Sequence, residues 1–192
     1  ADPEESEVLE VGAKIKLPTG YLNIALFDQK IEGFQSNTFI GTGFILANAG
    51  SQSTKGYEFD LVMSPTDNID LSVSGLFMDP IYDSFPNSSS GDLTGTMPSN
   101  ISENTISSTI TWNFNLNNWD GYLRLSHLYA SPAKMLENPA WQVRIENAGN
   151  GVKTQDTLNF SAGIERDNLS ITIWGKNIND DINELNTLAD KI

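Results

Sequence analysis

Apolar and polar side chains alternate with a period of two residues through most of this chain, which is the pattern of β-strands with one apolar face. The clearest stretch is 105–116. Its apolar face carries Ile106, Ile110, Trp112, Phe114 and Leu116, with Ser108 as the one polar member, and its other face carries only Thr, Ser and Asn. Seven further stretches alternate in the same way, near 9–17, 22–26, 57–61, 69–74, 123–125, 158–164 and 169–174. The sequence therefore predicts eight strands.

Short and long connections alternate strictly between these strands. The short ones are 18–20, 64–68, 117–121 and 166–168, and the long ones are about 33–52, 79–104 and 130–154. In an antiparallel meander this order places every short turn at one end and every long loop at the other. That asymmetry is typical of outer-membrane β-barrels, whose apolar face meets lipid and whose polar face meets a wet interior.

Several aromatic residues lie on or near the short-turn ends of the predicted strands, where an aromatic girdle at the membrane interface is expected. They are Tyr21, Trp112, Phe114, Trp119, Tyr122 and Trp174. Gly56 precedes an alternating stretch, and we expect it to let the backbone pass a crowded neighbour or form a bulge.

Composition excludes several other classes of protein. The net charge of −14 argues against nucleic acid or an anionic membrane surface as the main partner. The chain has no cysteine, so disulfides and thiol chemistry are excluded, and its one histidine, His127, argues against a histidine-based zinc site. No run of about 18 apolar residues indicates a transmembrane helix. The acidic start, Ala1 to Glu5, does not resemble a signal peptide.

Two other architectures are compatible with the period of two. One is a soluble antiparallel β-sandwich acting as a binding module, in which the apolar face packs on a second sheet. The other is a small passive barrel or porin-like channel, in which these eight strands close on themselves.

Three stretches resemble the C-terminal barrel of TonB-dependent outer-membrane receptors. The first resembles the family's Pro-Glu opening, Glu-x-Gly-x-Lys strand and following strand, at Pro3, Glu4, Glu10, Gly12, Lys14 and Phe27. The second resembles its Asn-Ala-Gly, Gly-x-Glu strand, proline turn and a strand of the Leu-x-Leu-x-x-Gly kind, at Asn48, Ala49, Gly50, Gly56, Glu58, Pro65, Leu71 and Gly75. The third resembles its penultimate strand and Lys-Asn-Leu-x-Asp ending, at Trp174, Lys176, Asn177, Ile178 and Asp180.

This resemblance implies an all-β fold, an antiparallel up-and-down transmembrane β-barrel in which about eight strands belong to a larger barrel of about 22. The plug domain, the TonB-coupling motif and the terminal aromatic strand of the family are not recognisable here. We therefore expect residues 1–192 to form part of one outer-membrane barrel domain, made of its late strands.

The resemblance also implies a function. The protein would be a component of an outer-membrane receptor of a Gram-negative bacterium, without enzymatic activity and without a cofactor. It would take up a scarce solute of the iron-siderophore, haem, cobalamin or oligosaccharide class. Its partners would be outer-membrane lipid, the small-molecule solute and a TonB-type energy-coupling protein that acts through the plug domain.

Candidate functional residues are few. Glu58, Asp60 and Asp70 are predicted to face the wet interior, where a polar wall is a better explanation than acid/base catalysis. We expect no catalytic residue and no metal site. Aromatic residues of the long loops are candidates for ligand contact or for packing at the loop base, namely Phe39, Phe44, Tyr82, Phe85 and Trp141.

Four carboxylates fall in the second long loop, at Asp79, Asp83, Asp92 and Glu103. They do not follow the spacing of an EF-hand, so a solvated loop is favoured over a cation site. His127, near the start of the third long loop, is expected to be a boundary residue rather than a ligand.

Overall fold

The computed structural model describes residues 1–40, 43–147 and 152–181. These residues form one antiparallel sheet in which every strand pairs with its neighbours in sequence, in the order β1 to β8. The strands are β1 (Glu5–Leu17), β2 (Gly20–Ile40), β3 (Gly43–Thr66), β4 (Ile69–Ser84), β5 (Asn104–Leu116), β6 (Trp119–Lys134), β7 (Val152–Arg166) and β8 (Leu169–Gly175). One helix, α1 (Pro139–Asn147), lies between β6 and β7. The eight predicted strands and their antiparallel order are confirmed.

Tight turns join the strands in pairs at one end of the sheet. Between β5 and β6 the two turn residues, Asn117 and Asn118, have positive φ angles of 52° and 66°. This is the type I′ geometry, whose twist matches that of a hairpin, and asparagine tolerates it better than most residues. Asp167, in the turn between β7 and β8, has a φ of 54°.

The strands extend much further toward the opposite end than their apolar alternation predicts. The predicted long loop at 33–52 is wrong for the described residues, because β2 and β3 continue as a paired hairpin to Ile40 and Gly43. A bulge interrupts this pairing at Gly33, which has a φ of 63°. Similarly, β4 continues to Ser84 and β6 to Lys134. The extensions mix polar and apolar residues on both faces, so no period of two marks them.

The pairing register places the large apolar side chains in continuous rows on one face, which we call the apolar face. One row, for example, joins Ile110 of β5 to Leu125 of β6 and Phe160 of β7. Many of these side chains are exposed although they are large, including Leu9, Val11, Leu26, Tyr57, Ile110, Trp112, Leu125, Ile171 and Ile173. A water-exposed face of this kind needs an apolar environment to cover it.

The opposite face, called the polar face, carries mostly hydroxyl, amide and charged side chains. Hydrogen bonds cross the strands here, such as Thr109 Oγ1 to Ser126 Oγ at 3.1 Å. Asn115 Nδ2 donates to Asp120 Oδ1 at 2.9 Å. A polar face opposite an exposed apolar face is the arrangement expected of a membrane barrel wall.

The described residues contain a small buried core at the long-loop end. Phe34 of β2, Tyr82 of β4, Phe85 and Leu93 form it, and Leu93 is 1% exposed. The ring of Phe34 stacks on Tyr82 with centroids 5.4 Å apart and meets the edge of Phe85 at 5.0 Å. The core therefore fixes the long loop after β4 against the polar side of the sheet.

The sheet remains open among the described residues, since β1 and β8 are not paired with each other. Nor do the described strands form a second sheet, which a β-sandwich requires. In the described part of the chain, no helix is both long enough and apolar enough to cross a membrane.

Candidate functional site

A concave region of the polar face carries two of the three predicted interior carboxylates. Its volume is about 720 Å³, and Glu10, Lys14, Glu58 and Asp60 are among its lining residues. Asp60 Oδ1 accepts a hydrogen bond from Ser74 Oγ at 3.2 Å, and Asp60 Oδ2 accepts one from Asn23 Nδ2 at 3.5 Å. Both hydrogen-bond partners of Asp60 are neutral. Glu58 and Asp60 are therefore better described as part of a polar wall than as an acid/base pair.

Asp70 lies on the same polar face, close to the turn between β3 and β4. Its carboxylate accepts from Ser64 Oγ at 2.7 Å and from Asn113 Nδ2 at 2.9 Å. The structure therefore places Asp70 apart from the concave region and ties it to the turn and to β5. Glu58, Asp60 and Asp70 share one face, as the alternation predicts.

A second cavity on the polar face, of about 400 Å³, was not predicted from the sequence. It is lined by Arg124 and Ser126 of β6, Asn159, Phe160 and Ser161 of β7, and Trp174, Gly175 and Lys176 at the end of β8. Arg124 Nε donates to Thr111 Oγ1 at 3.1 Å, and its Cζ lies 5.6 Å from the centre of the Tyr122 ring. Lys176 Nζ lies 5.9 Å from the centre of the Trp174 ring. The available signal was the position of Trp174 on the polar side of an alternating strand.

Glu137 joins the two described long loops at the other end of the sheet. Its Oε1 accepts hydrogen bonds from Tyr82 Oη at 3.1 Å, Ser99 N at 3.1 Å and Ser99 Oγ at 2.9 Å. The backbone adds Asn100 N donating to Lys134 O at 2.7 Å. The loop after β4 and the loop after β6 therefore form one packed assembly.

Helix α1 belongs to this assembly and presents an aromatic residue outward. Asn138 caps its start by accepting a hydrogen bond from Trp141 N at 3.1 Å. Gln142, buried, accepts from Met135 N at 3.1 Å and Leu136 N at 2.9 Å. Trp141 is 54% exposed, and Arg144 lies over its ring at 5.4 Å.

The predicted loop aromatics fall into three situations. Tyr82 and Phe85 are buried in the core beneath the loops, and Tyr82 belongs to β4 rather than to a loop. Trp141 is exposed on α1. Phe39 and Phe44 are paired in register near the tip of the β2–β3 hairpin, and their side chains lie outside the described part of the molecule.

The four carboxylates at Asp79, Asp83, Asp92 and Glu103 are dispersed. Asp83 Oδ1 accepts from Ser53 Oγ at 2.9 Å, and Asp79 pairs in register with Lys55 on the apolar side. Two hydrogen bonds from Thr94, through its hydroxyl and its backbone N–H, hold the pKa of Asp92 below its ordinary value. Within the described ranges, no three His or carboxylate residues are grouped closely enough to hold a metal ion.

His127 lies inside β6 on the apolar face with Leu123 and Leu125, and the strand continues beyond it to Lys134. Its Nε2 lies 2.6 Å from Asp156 Oδ1. The structure corrects part of the aromatic girdle. Of the predicted aromatic girdle, Trp112, Phe114 and Trp119 share the apolar face by register. Tyr21, Tyr122 and Trp174 fall on the polar face instead, because they occupy the opposite parity of their strands.

A match to a protein-family model decides the classification. The model is described as TonB dependent receptor-like, beta-barrel, and it covers residues 2–178. The chain belongs to the TonB-dependent receptor β-barrel family. No curated protein matches the chain.

Solved structures of other TonB-dependent receptors have the same fold. The ferric yersiniabactin uptake receptor FyuA from Yersinia pestis is 15% identical with a TM-score of 0.72, over 93% of this chain and 25% of that one. BauA, the ferric preacinetobactin receptor from Acinetobacter baumannii, is 14% identical with a TM-score of 0.72, over 93% and 26%. The FrpB iron transporter from Neisseria meningitidis is 18% identical with a TM-score of 0.61, over 91% and 27%. The chain thus spans about a quarter of the length of these receptors.

Three residues of the motifs that resemble TonB-dependent receptors, Glu4, Asn48 and Asn177, make hydrogen bonds at the ends of this sheet. Asn48 Nδ2 donates to Asp2 O at 2.9 Å and to Gly33 O at 2.6 Å, and Asn48 Oδ1 accepts from Asp2 N at 2.5 Å. One asparagine therefore ties the segment before β1 to the β2–β3 hairpin. Glu4 adds a second tie by accepting from the backbone N–H of Gln35.

The Lys-Asn-x-x-Asp segment after β8 performs a similar task at the other edge. Asn179 Oδ1 accepts from Leu158 N at 2.8 Å, and Asp181 Oδ2 accepts from Asp156 N at 2.7 Å. Asn177 Oδ1 accepts from Asp181 N at 2.9 Å, which closes the segment on itself. Side-chain oxygens thus accept hydrogen bonds from the backbone N–H groups of β7 that lie beyond the end of β8.

Proposed function

We propose that this chain is part of the wall of an outer-membrane receptor of a Gram-negative bacterium, which takes up a scarce solute with energy relayed by a TonB-type protein. The observation that carries this proposal is the single antiparallel sheet with an exposed apolar face and a polar opposite face. Membership of the family supports it. In this proposal residues 1–192 are late strands of one larger barrel domain, and outer-membrane lipid covers the apolar face.

We infer that the solute is a ferric siderophore. The support is that two structures with this fold are the ferric yersiniabactin uptake receptor and the ferric preacinetobactin receptor, and a third is an iron transporter. Haem, cobalamin and oligosaccharides are the other solute classes of the proposal. The reaction is transport without bond chemistry, and coupling to the energy-transducing protein acts through a plug domain.

In this proposed transport the candidate residues have different roles. Glu58, Asp60 and Asp70 line the wet interior, where their carboxylates keep the wall hydrated. Trp141, exposed on α1 beside Arg144, contacts the solute at the outer surface. Phe39 and Phe44 add contacts from the tip of the β2–β3 hairpin. Tyr82 and Phe85 support the loops from beneath, since both are buried.

The other two architectures receive no support from the sheet. A small passive barrel needs β1 to pair with β8, and the two are unpaired among the described residues. A soluble sandwich needs a second sheet over the apolar face, and the described residues provide none.

Uptake of radioactive iron tests the proposal. Cells that contain the receptor should accumulate labelled ferric siderophore and should lose this uptake when the TonB-type protein is deleted or the proton gradient is dissipated. The protein should fractionate with outer membranes. Uptake that persists without the coupling protein would indicate a passive channel, and recovery of the protein in the soluble fraction would contradict a membrane barrel.

A further inference from the structure

The cavity at Arg124 has an unusual charge for this protein. The chain has 25 acidic and 11 basic residues, yet Arg124 and Lys176 both line the cavity and no carboxylate does. Arg124 is paired in register with Thr111 and Ser161, which are neutral. Because the lining residues and the register partners of Arg124 carry no negative charge, the cavity presents a local positive potential on an otherwise acidic wall.

Arg124 is held in place without being neutralised. Its Nε donates to Thr111 Oγ1, and its guanidinium lies near the face of Tyr122. Among the described residues it makes no ion pair; the four ion pairs there join Lys30 to Glu32, Lys55 to Asp28, His127 to Asp156 and Arg166 to Asp167. The terminal nitrogens of the guanidinium are therefore available for a planar anion such as a carboxylate, which they can bind through two parallel hydrogen bonds.

The other residues that line the cavity indicate which chemical group a bound carboxylate should carry. Trp174 is 70% exposed although it is the largest kind of side chain, and its indole stands beside Lys176 on the polar face. A flat ring can stack on such an indole. Ser126, Ser161 and Asn159 add neutral hydrogen-bonding groups around the same space. A volume of about 400 Å³ suits a ligand of one or two rings.

The position along the wall suggests when a solute would meet this cavity. Arg124 lies five residues from Trp119 at the start of β6, about 16 Å along the strand from the short-turn end. The packed loops and the buried aromatic core lie at the opposite end. A solute that enters past those loops would therefore reach Arg124 late in its passage.

We propose that Arg124, Lys176 and Trp174 form a binding site for small aromatic carboxylates on the inner wall. Arg124 binds the carboxylate, Lys176 adds a second positive charge and Trp174 stacks on the ring. The proposal deepens the proposed function and rests on it, because it requires the polar face to be the interior of the receptor.

Titration of the intact receptor, purified in detergent, with benzoate tests the site through tryptophan fluorescence. Benzoate should quench the fluorescence saturably, and benzyl alcohol, which has the ring but no charge, should bind at least about tenfold more weakly. Trp174→Phe should remove the saturable quenching. Raising the salt concentration from 0.05 to 0.5 M, values chosen to shorten the screening length to about a half or less, should weaken binding of benzoate but not of benzyl alcohol.

Three substitutions distinguish the contribution of the Arg124 guanidinium from the general effect of removing a positive charge. Arg124→Gln should weaken benzoate binding by about tenfold or more, and Arg124→Lys should retain part of it because the charge remains. Arg166→Gln is the matched control, since Arg166 is a cation of the neighbouring strand that lies outside this cavity and faces Asp167. Equal binding by Arg124→Gln and Arg166→Gln would overturn the proposal, as would equal binding of benzoate and benzyl alcohol.

The two proposals fail in different experiments. Benzoate binding is measured in detergent without an energy source, so it does not depend on the TonB-type protein. If uptake proves passive while Arg124-dependent binding persists, the energy-coupled function fails and the site stands. If uptake is energy-dependent but Arg124→Gln binds benzoate normally, the site is overturned and the function stands.

Discussion

A single carboxylate, that of Glu137, connects parts of the chain that are 38 to 55 residues apart in sequence. Its oxygen accepts from the phenol of Tyr82 in β4 and from both the amide and the hydroxyl of Ser99. Tyr82 also packs in the aromatic core, so the polar and apolar contacts of the two loops meet at this residue. Neither partner could be identified from the sequence, because the contacts depend on how two irregular loops fold.

Glu137→Ala should loosen both long loops while leaving the sheet intact. Losing the acceptor leaves Tyr82 Oη and two groups of Ser99 unpaired, at a cost of about 1–3 kcal/mol in local stability. Hydrogen exchange in segment 93–104 and around α1 should accelerate, while exchange in β5 to β7 below should not. Glu103→Gln, at an exposed acidic position of the loop after β4, is the control. Unchanged exchange in Glu137→Ala would show that the hydrogen bonds contribute nothing.

Substituting Gly56 of β3 tests whether the neighbouring strand leaves room for a side chain. A Cβ added there would overlap the carbonyl oxygen of Phe77 and the ring of Phe27. At Gly121 the added Cβ would meet only the ring of Phe114, which can rotate away. We therefore expect Gly56→Ala to lower the stability of the purified barrel by about 1–3 kcal/mol and Gly121→Ala by less. Thermal loss of folded electrophoretic mobility measures both, and the reverse order would contradict the explanation.

Asp92 provides a prediction about pH. Because hydrogen bonds from Thr94 depress its pKa, its ionised form stabilises the turn at 92–94. That stabilisation is fully present above the ordinary carboxyl pKa and is lost as the pH falls below about 4. Protection of the Thr94 amide from hydrogen exchange should decline over this range. Asp92→Asn, which keeps an acceptor that does not titrate, should abolish the pH dependence, and its persistence would argue against Asp92 as the cause.

The strands show how much of an element the sequence can reveal. Alternation of apolar and polar residues predicted all eight strands, the short turns and the face of each side chain in the lower part of the sheet. It failed beyond that part, where β2, β3, β4 and β6 continue with polar and apolar residues mixed on both faces. An alternation with period two marks only the part of a strand whose two faces meet different surroundings. The girdle prediction failed for a different reason, because it used the distance of Tyr21, Tyr122 and Trp174 from a turn and not their parity in the strand.

A new positive charge should destabilise the protein much more on the apolar face of β5 than on its polar face. Ile110→Arg places a guanidinium in the middle of the apolar face, which we expect to destabilise folding in lipid by about 2–4 kcal/mol. Ser107→Arg, on the polar face of the same strand, should cost much less because water or polar groups surround it. Denaturant titration in lipid vesicles measures both. Equal costs would indicate that the face carrying Ile110 is not covered by lipid.

At the scale of the whole molecule, the family could be anticipated from its motifs, and two motif residues help to fasten the ends of the sheet. Asn48 binds the segment before β1. Asn177 accepts a hydrogen bond from Asp181 N, and Asn179 and Asp181, which are not motif positions, accept from backbone N–H groups of β7. The cavity at Arg124 could not be anticipated. Its lining comes from β6, β7 and the end of β8, and only the register aligns Arg124, Ser161 and Trp174 in one row.

The strictly sequential strand order has a consequence for how the wall assembles. Each described strand pairs only with the strands before and after it in the chain, so every step of sheet growth closes a loop between consecutive segments. Loop closure of this kind has a small entropic cost compared with joining distant segments. The sheet can therefore grow by one hairpin at a time from a single nucleus, without waiting for distant strands. The same order makes the wall vulnerable, because a strand that fails to pair separates everything on one side of it from everything on the other.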